Sequence, residues 1–153
     1  MNKPSKTTRL DSVAADLVAA LREASEERQR AACLVACNFA IESSGVRSPV
    51  VQDAMRMLRS SRPLLPRYKV ELDELVAQLD DEYLRLQERV EEGQSATDEY
   101  MKFFGQARAV AALSFAASDD AFQAAVEAIY EAAATTDEKD ELFSEIWKTL
   151  DSK

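Results

Sequence analysis

Arg67–Glu92, RYKVELDELVAQLDDEYLRLQERVEE, runs without a glycine or proline from end to end. Within it Tyr68, Leu72, Leu75, Leu79, Tyr83, Leu86 and Val90 recur at spacings of three and four, the period that stacks side chains on one helical face. At about 1.5 Å per residue this is a helix of roughly 35 to 40 Å, long enough to set the length of a bundle. Gly93 ends it with a residue that takes left-handed backbone freely.

The same period recurs on both sides of this stretch. Towards the N-terminus, residues 11–23 place Val13, Leu17, Val18 and Leu21 on one stripe, and Ser25 is the expected cap of the next helix. That helix contains Ala31–Ile41, AACLVACNFAI, apolar nearly all round and therefore expected at the bundle's centre, with Gly45 as its stop. Ser48–Pro49 reads as an N-cap and first helical residue, followed by a buried stripe of Val50, Val51, Ala54, Met55 and Leu58 that SSRPLLP terminates. Towards the C-terminus, a fifth helix spans about 97–117 through Tyr100, Met101, Phe104, Val110, Ala111 and Phe115, with Gly105 as a point of bending. Ser118 is the expected cap of a sixth, carrying Phe122, Val126, Ile129, Tyr130 and Ala133. Thr135 and Glu138 resemble a capping box before a last helix with Leu142, Phe143, Ile146, Trp147 and Leu150. The expectation is an all-α fold, an antiparallel bundle of six to seven helices or stacked helical hairpins, with residues 1–10 a disordered tail and 11–153 a single domain. No repeat register near 34 residues emerges.

Composition narrows the chemistry. The chain has 153 residues, no histidine and two cysteines. Without imidazole there is no Ser-His or Cys-His nucleophile pair and no imidazole metal site. Cys33 and Cys37, four apart in a helical segment, read as small buried thiols; a structural metal site needs about four ligands, and no others are at hand. No apolar run reaches the length of a membrane span and MNKPSKTTRL has no signal-peptide core, so a cytoplasmic protein is expected. The net charge of −9 is uneven: residues 1–62 hold ten Lys/Arg against seven Asp/Glu, and 63–153 hold nine against twenty-one, net +3 and −12. Such a C-terminal half repels free nucleic acid and attracts a basic protein surface.

Three Glu-x-x-Glu pairs, Glu71/Glu74, Glu88/Glu91 and Glu138/Glu141, place carboxylates on single helix sides. All-helical nucleotide pyrophosphatases resemble this in holding Mg²⁺ between acidic pairs on facing helices. Here the first two pairs share one helix, seventeen residues and about 25 Å apart, and a solvated face is the simpler reading. Arg56, Arg59, Arg62, Arg67 and Lys69 form the basic cluster and are expected in ion pairs with neighbouring carboxylates, a phosphate or anion site being the alternative. Asn38, polar within an apolar helix, is expected either to reach a buried partner or to mark a polar pocket.

ERQRAACLVACNFAIESSGVRSPVVQDAMRMLR and ARAVAALSFAASDDAFQAAVEAIYEAAATTDEKDEL resemble, in their alanine-rich helices and Gly turn with Ser-Pro start, small all-helical bacterial immunity proteins of toxin systems. That resemblance and the −12 half together imply a non-enzymatic inhibitor that neutralises a basic toxin or effector. The candidate contacts are Asp80, Asp81, Glu82, Glu91, Glu92, Asp137, Glu138, Asp140 and Glu141, with Tyr83 and Trp147 as anchors. This reading assigns no catalytic, cofactor or metal-binding residue, leaves homodimerisation open, and keeps two alternatives: a carboxylate–Mg²⁺ nucleotide pyrophosphohydrolase and a helical adaptor or secretion chaperone.

Overall fold

A computed structural model describes residues 7–62, 64–93 and 97–151, the backbone alone at 97–99; residues 1–6 of the expected tail lie outside them. Among the described residues there are seven helices and no strand: α1 (Asp11–Glu23), α2 (Glu26–Ser44), α3 (Pro49–Arg59), α4 (Pro66–Glu91), α5 (Thr97–Ala116), α6 (Ala121–Ala133) and α7 (Lys139–Asp151). The protein is an all-α bundle, as the periodicity requires. No helix among the described residues is long and apolar enough to cross a membrane.

α2 is the central element, packed on α5, α6 and α7. Its buried face is Gln29, Ala32, Cys33, Ala36, Cys37 and Ala40, and α6 contributes Ala121, Ala124, Ala125, Ala128 and Ala132. Side chains this small let helix axes approach closely, and the larger residues Leu17, Leu21, Leu113, Val126, Ile129, Leu142 and Ile146 fill the space around them. α4 packs on α5 through buried Leu72 and Leu79 and exposes most of its remaining surface.

The N-terminal turn of α2 also closes three other helices. Arg28 donates from Nη1 to Leu150 O of α7, Gln29 from Nε2 to Leu21 O of α1 at 2.8 Å, and Arg30 from its Nη atoms to Ala116 O, Ser118 O and Asp119 O at 3.3, 2.8 and 3.1 Å. Three consecutive residues point about 100° apart around a helix, so each meets carbonyls at the end of a different neighbour. The positive end of α2 thereby faces the negative ends of α5 and α7.

Several caps fall elsewhere than the sequence suggests. Ser25 does cap α2, accepting from Arg28 N at 3.2 Å, and Gly45 (φ 72°) and Gly93 (φ 75°) end α2 and α4 in left-handed backbone. The cap of α6 is Asp120, whose Oδ1 accepts from Gln123 N at 2.9 Å; Ser118 instead braces Asp120 N. Thr136 Oγ1, not that of Thr135, accepts from Glu138 N at 2.9 Å, while Thr135 turns back to Ala132 O. Ser48 makes no side-chain cap. On α1, Val13 is exposed beside a backbone kink at Ala14. Packing also begins inside the expected tail: Leu10 is 0% exposed and Arg9 is bonded into α6.

Candidate functional site

A groove of about 870 Å³ lies between α2 and α7, with Arg59 of α3 in its lining. From α2 come Leu34, Val35, Asn38, Phe39, Glu42 and Ser43, from α3 Arg59, and from the α7 side Glu138, Glu141 and Glu145. Spacings of three and four put those three glutamates on one side of α7, and the apolar face of the same helix, Leu142 and Ile146, is buried. The floor is therefore half-buried Leu34, Val35 and Phe39, and the walls carry four carboxylates against one guanidinium.

One donor of that guanidinium is taken: Arg59 Nη2 donates to Asn38 Oδ1 at 3.0 Å, and Asn38 Nδ2 reaches Glu42 Oε1 at 3.5 Å. Of the two expectations for Asn38 the polar pocket is the one met, since it lines the groove and its partners Arg59 and Glu42 are bonded at the surface and are not buried. Among the described residues Glu145 pairs only with Lys148, at 3.7 Å along its own helix. Among the described residues no cation pairs with Glu138 or Glu141. The Glu141 carboxyl is raised above the usual glutamate range, first by its hydrogen bond to Glu138, then by the Glu138 charge, desolvation and the Glu145 charge. The positive N-terminal end of α7 helps hold these acids, yet it leaves them mutually repelling.

The sequence-derived contacts fall on two separate surfaces. Glu138 and Glu141 line the groove, with exposed Asp137 and Asp140 beside them in sequence. Asp80, Asp81, Glu82, Tyr83, Glu91 and Glu92 belong to α4 and its end, which packs on α5 and α3, whereas α7 packs on α2, α1 and α6. Within the α4 group, Asp80 is bonded to Arg108 at 3.2 Å, Glu82 pairs with Arg85 at 3.1 Å, and Tyr83 packs against Tyr100 and Phe104 at 5.6 and 5.4 Å between centroids. Asp81, Glu91 and Glu92 are exposed. Trp147 is 36% exposed and outside the groove lining. Glu71/Glu74 and Glu88/Glu91 stand along α4 as expected, and among the described residues no three carboxylate or thiol side chains converge as a metal-binding set. The basic cluster is partly paired, Arg56 with Asp53 at 3.4 Å and Lys69 with Asp73 at 3.3 Å, and Arg67 stacks on Tyr68.

A buried ionic network escaped the sequence reading. Glu127 and Glu131 stand one turn apart on α6, and Glu131 is 3% exposed. Arg9 bonds both, Arg108 bonds Glu131 Oε2 at 3.2 Å and continues to Asp80, and Gln123 Nε2 reaches Glu127 Oε1 at 3.3 Å. Arg9 also sits over the Tyr130 ring at 4.3 Å and 5.6 Å from the Phe115 centroid. Burial works against the Arg9 charge, but its hydrogen bonds to Glu127 and Glu131 outweigh this and hold the guanidinium more firmly protonated. Elsewhere on α5, buried Ser114 bridges to α4, donating to Asp73 and accepting from Lys69 Nζ at 3.0 Å. The signal available in sequence was AAVEAIYEAA, two carboxylates one turn apart inside an otherwise apolar helix.

No family model matches the chain, and no curated protein or solved structure does either. The groove's own geometry therefore carries the functional argument.

Proposed function

We propose that this chain is a non-enzymatic binding protein that docks a basic segment of a partner protein in the α2–α7 groove, in the manner of an inhibitor or immunity protein acting on a cationic toxin or effector. The observation that supports it most is the unneutralised Glu138–Glu141 pair, with Glu42 and Glu145, above an apolar floor of Leu34, Val35 and Phe39. A lysine or arginine from a partner relieves the repulsion among these carboxylates while its aliphatic stem covers the floor. The negative C-terminal half adds steering at long range. The acidic surface of α4 is a separate edge that contributes to the field and not to the contact. Free buried thiols at Cys33 and Cys37 agree with a cytoplasmic setting for this activity.

The test is paired affinity capture from the native host with the wild-type chain and with Glu138→Gln/Glu141→Gln as baits, at low and at physiological salt. The proposal expects a basic protein that the wild-type bait retains, that the double variant loses, and whose capture weakens with salt. A partner held equally by both baits would place the contact elsewhere.

A further inference from the structure

A second pocket, of about 590 Å³, opens where α2, the α3–α4 turn and the end of α5 meet. Its volume lies in the range of small-molecule sites, and it divides into an apolar floor and a charged rim. Ala31, Leu34, Leu58, Leu64, Ala116 and Ala117 supply the floor.

The rim cations differ in what they are free to do. Arg30 is spent on three backbone carbonyls at the end of α5, and Arg59 gives one donor to Asn38. The Arg62 side chain has no hydrogen bond or ion pair among the described residues, so its guanidinium donors are available to a ligand. Between Arg59 and Arg62, Ser61 holds left-handed backbone (φ 57°) in a turn where Arg62 N donates to Met57 O at 2.9 Å and Ser61 N to Leu58 O at 3.1 Å. Glycine takes this conformation without steric penalty. The chain instead carries a serine there, and Ser61 is among the residues that line the pocket. Backbone strain kept at a pocket rim points to use of that rim. Glu27 and Asp119 also line the pocket and disfavour a multiply charged anion.

We infer that this pocket binds a small amphipathic molecule with a single carboxylate head, its apolar body on the Leu34/Leu58/Leu64 floor and its head on Arg62, with Ser61 as a hydroxyl donor. This site adjoins the acidic groove, with which it shares Leu34 and Arg59, while Arg62, Ser61 and Leu64 line this pocket and not the groove.

The experiment is an amide NMR titration of the full chain with octanoate, decanoate and 3-phenylpropionate, with octanol and octylammonium as the uncharged and cationic counterparts of octanoate. The inference expects saturable shifts at Ala31, Leu64 and Ala117 with at least one carboxylate, and a Kd raised roughly tenfold when the charge-assisted contact is lost in Arg62→Ala. Octanol and octylammonium bind more weakly than octanoate. Absence of saturable shifts at these amides with all three carboxylates, equal binding of octanol, or an unaltered Kd in Arg62→Ala overturns the assignment.

Discussion

Arg9 Nη2 lies 3.0 Å from Glu131 Oε1, joining two residues 122 positions apart and fastening the start of the chain to α6. Glu131 divides its two oxygens between Arg9 and Arg108, so its buried charge depends on both. Removing a partner from a fully buried pair costs roughly 3–5 kcal/mol. The Arg9 side chain is 46% exposed and Arg108 remains, so Arg9→Ala is expected to cost about 2 kcal/mol, measured as a shift in the urea midpoint. Arg9→Lys recovers little of it, because an ammonium reproduces neither the forked contact nor the stacking on Tyr130. Full stability in Arg9→Lys would show that charge alone is at work.

Ser61 is the non-glycine residue with positive φ among the described residues, and it occupies the position after α3 where glycine is favoured. Ser61→Gly is expected to stabilise the fold by about 0.5–1 kcal/mol, the left-handed penalty less the extra freedom of glycine in the unfolded chain. Thermal unfolding reads this directly, and a fall in Tm would mean that the serine hydroxyl contributes more than the backbone costs.

Two acids respond oppositely to pH. The folded state holds the Glu141 proton more tightly than the unfolded state does, because of Glu138 first, so stability falls as pH rises through the window between the two values. Glu141→Gln is therefore expected to be at least as stable as wild type at neutral pH, with the advantage vanishing below the usual glutamate range. Asp11 is held low by the Thr8 backbone N–H at 2.6 Å, opposed by desolvation and aided by the Thr8 hydroxyl and the Arg22 charge. Its contribution is present above the usual aspartate value and is lost as pH falls through the depressed one. Asp11→Asn should weaken the fold at neutral pH and match wild type in strong acid. Unfolding curves across the acid range check both signs, and parallel behaviour of the two variants would contradict the assignment.

Cys37 is buried, and its thiol is pushed well above the ordinary range by its hydrogen bond to Cys33, by burial and by the Cys33 charge. Cys33 is buried as well, with Sγ 3.7 Å from Ala124 O. Thiolate is the reactive form, so both thiols should resist an aromatic disulfide reagent at mildly alkaline pH and react together on unfolding. Fast labelling of one thiol in the native state would show the α2–α6 packing to be open.

The helices were legible because burial imposes a period on the apolar residues of α2, α4 and α6 that needs no partner to be seen. Central placement of Ala31–Ile41 followed from the same pattern. What depends on tertiary proximity was not legible: Glu127 and Glu131 give no hint of Arg9 or Arg108 as their partners. The −12 half reads as one acidic surface in sequence, yet its charges divide between α4 and α7, which pack on different neighbours. Glu42, contributed by α2 from the less acidic half, belongs to the groove and was missed for the same reason. Trp147 follows the apolar stripe of α7 but lies at its margin, where Leu142 and Ile146 already fill the contact with the bundle.

The central claim is that the α2–α7 groove, and not net acidity, selects a basic partner. Calorimetric titration with a short peptide alternating lysine and leucine tests it by comparing Glu138→Gln/Glu141→Gln with Asp81→Asn/Glu91→Gln, an equal loss of charge on α4. The account predicts affinity roughly tenfold weaker in the groove variant and nearly unchanged in the α4 variant, with binding that weakens as salt is raised. Equal losses in the two variants would contradict it.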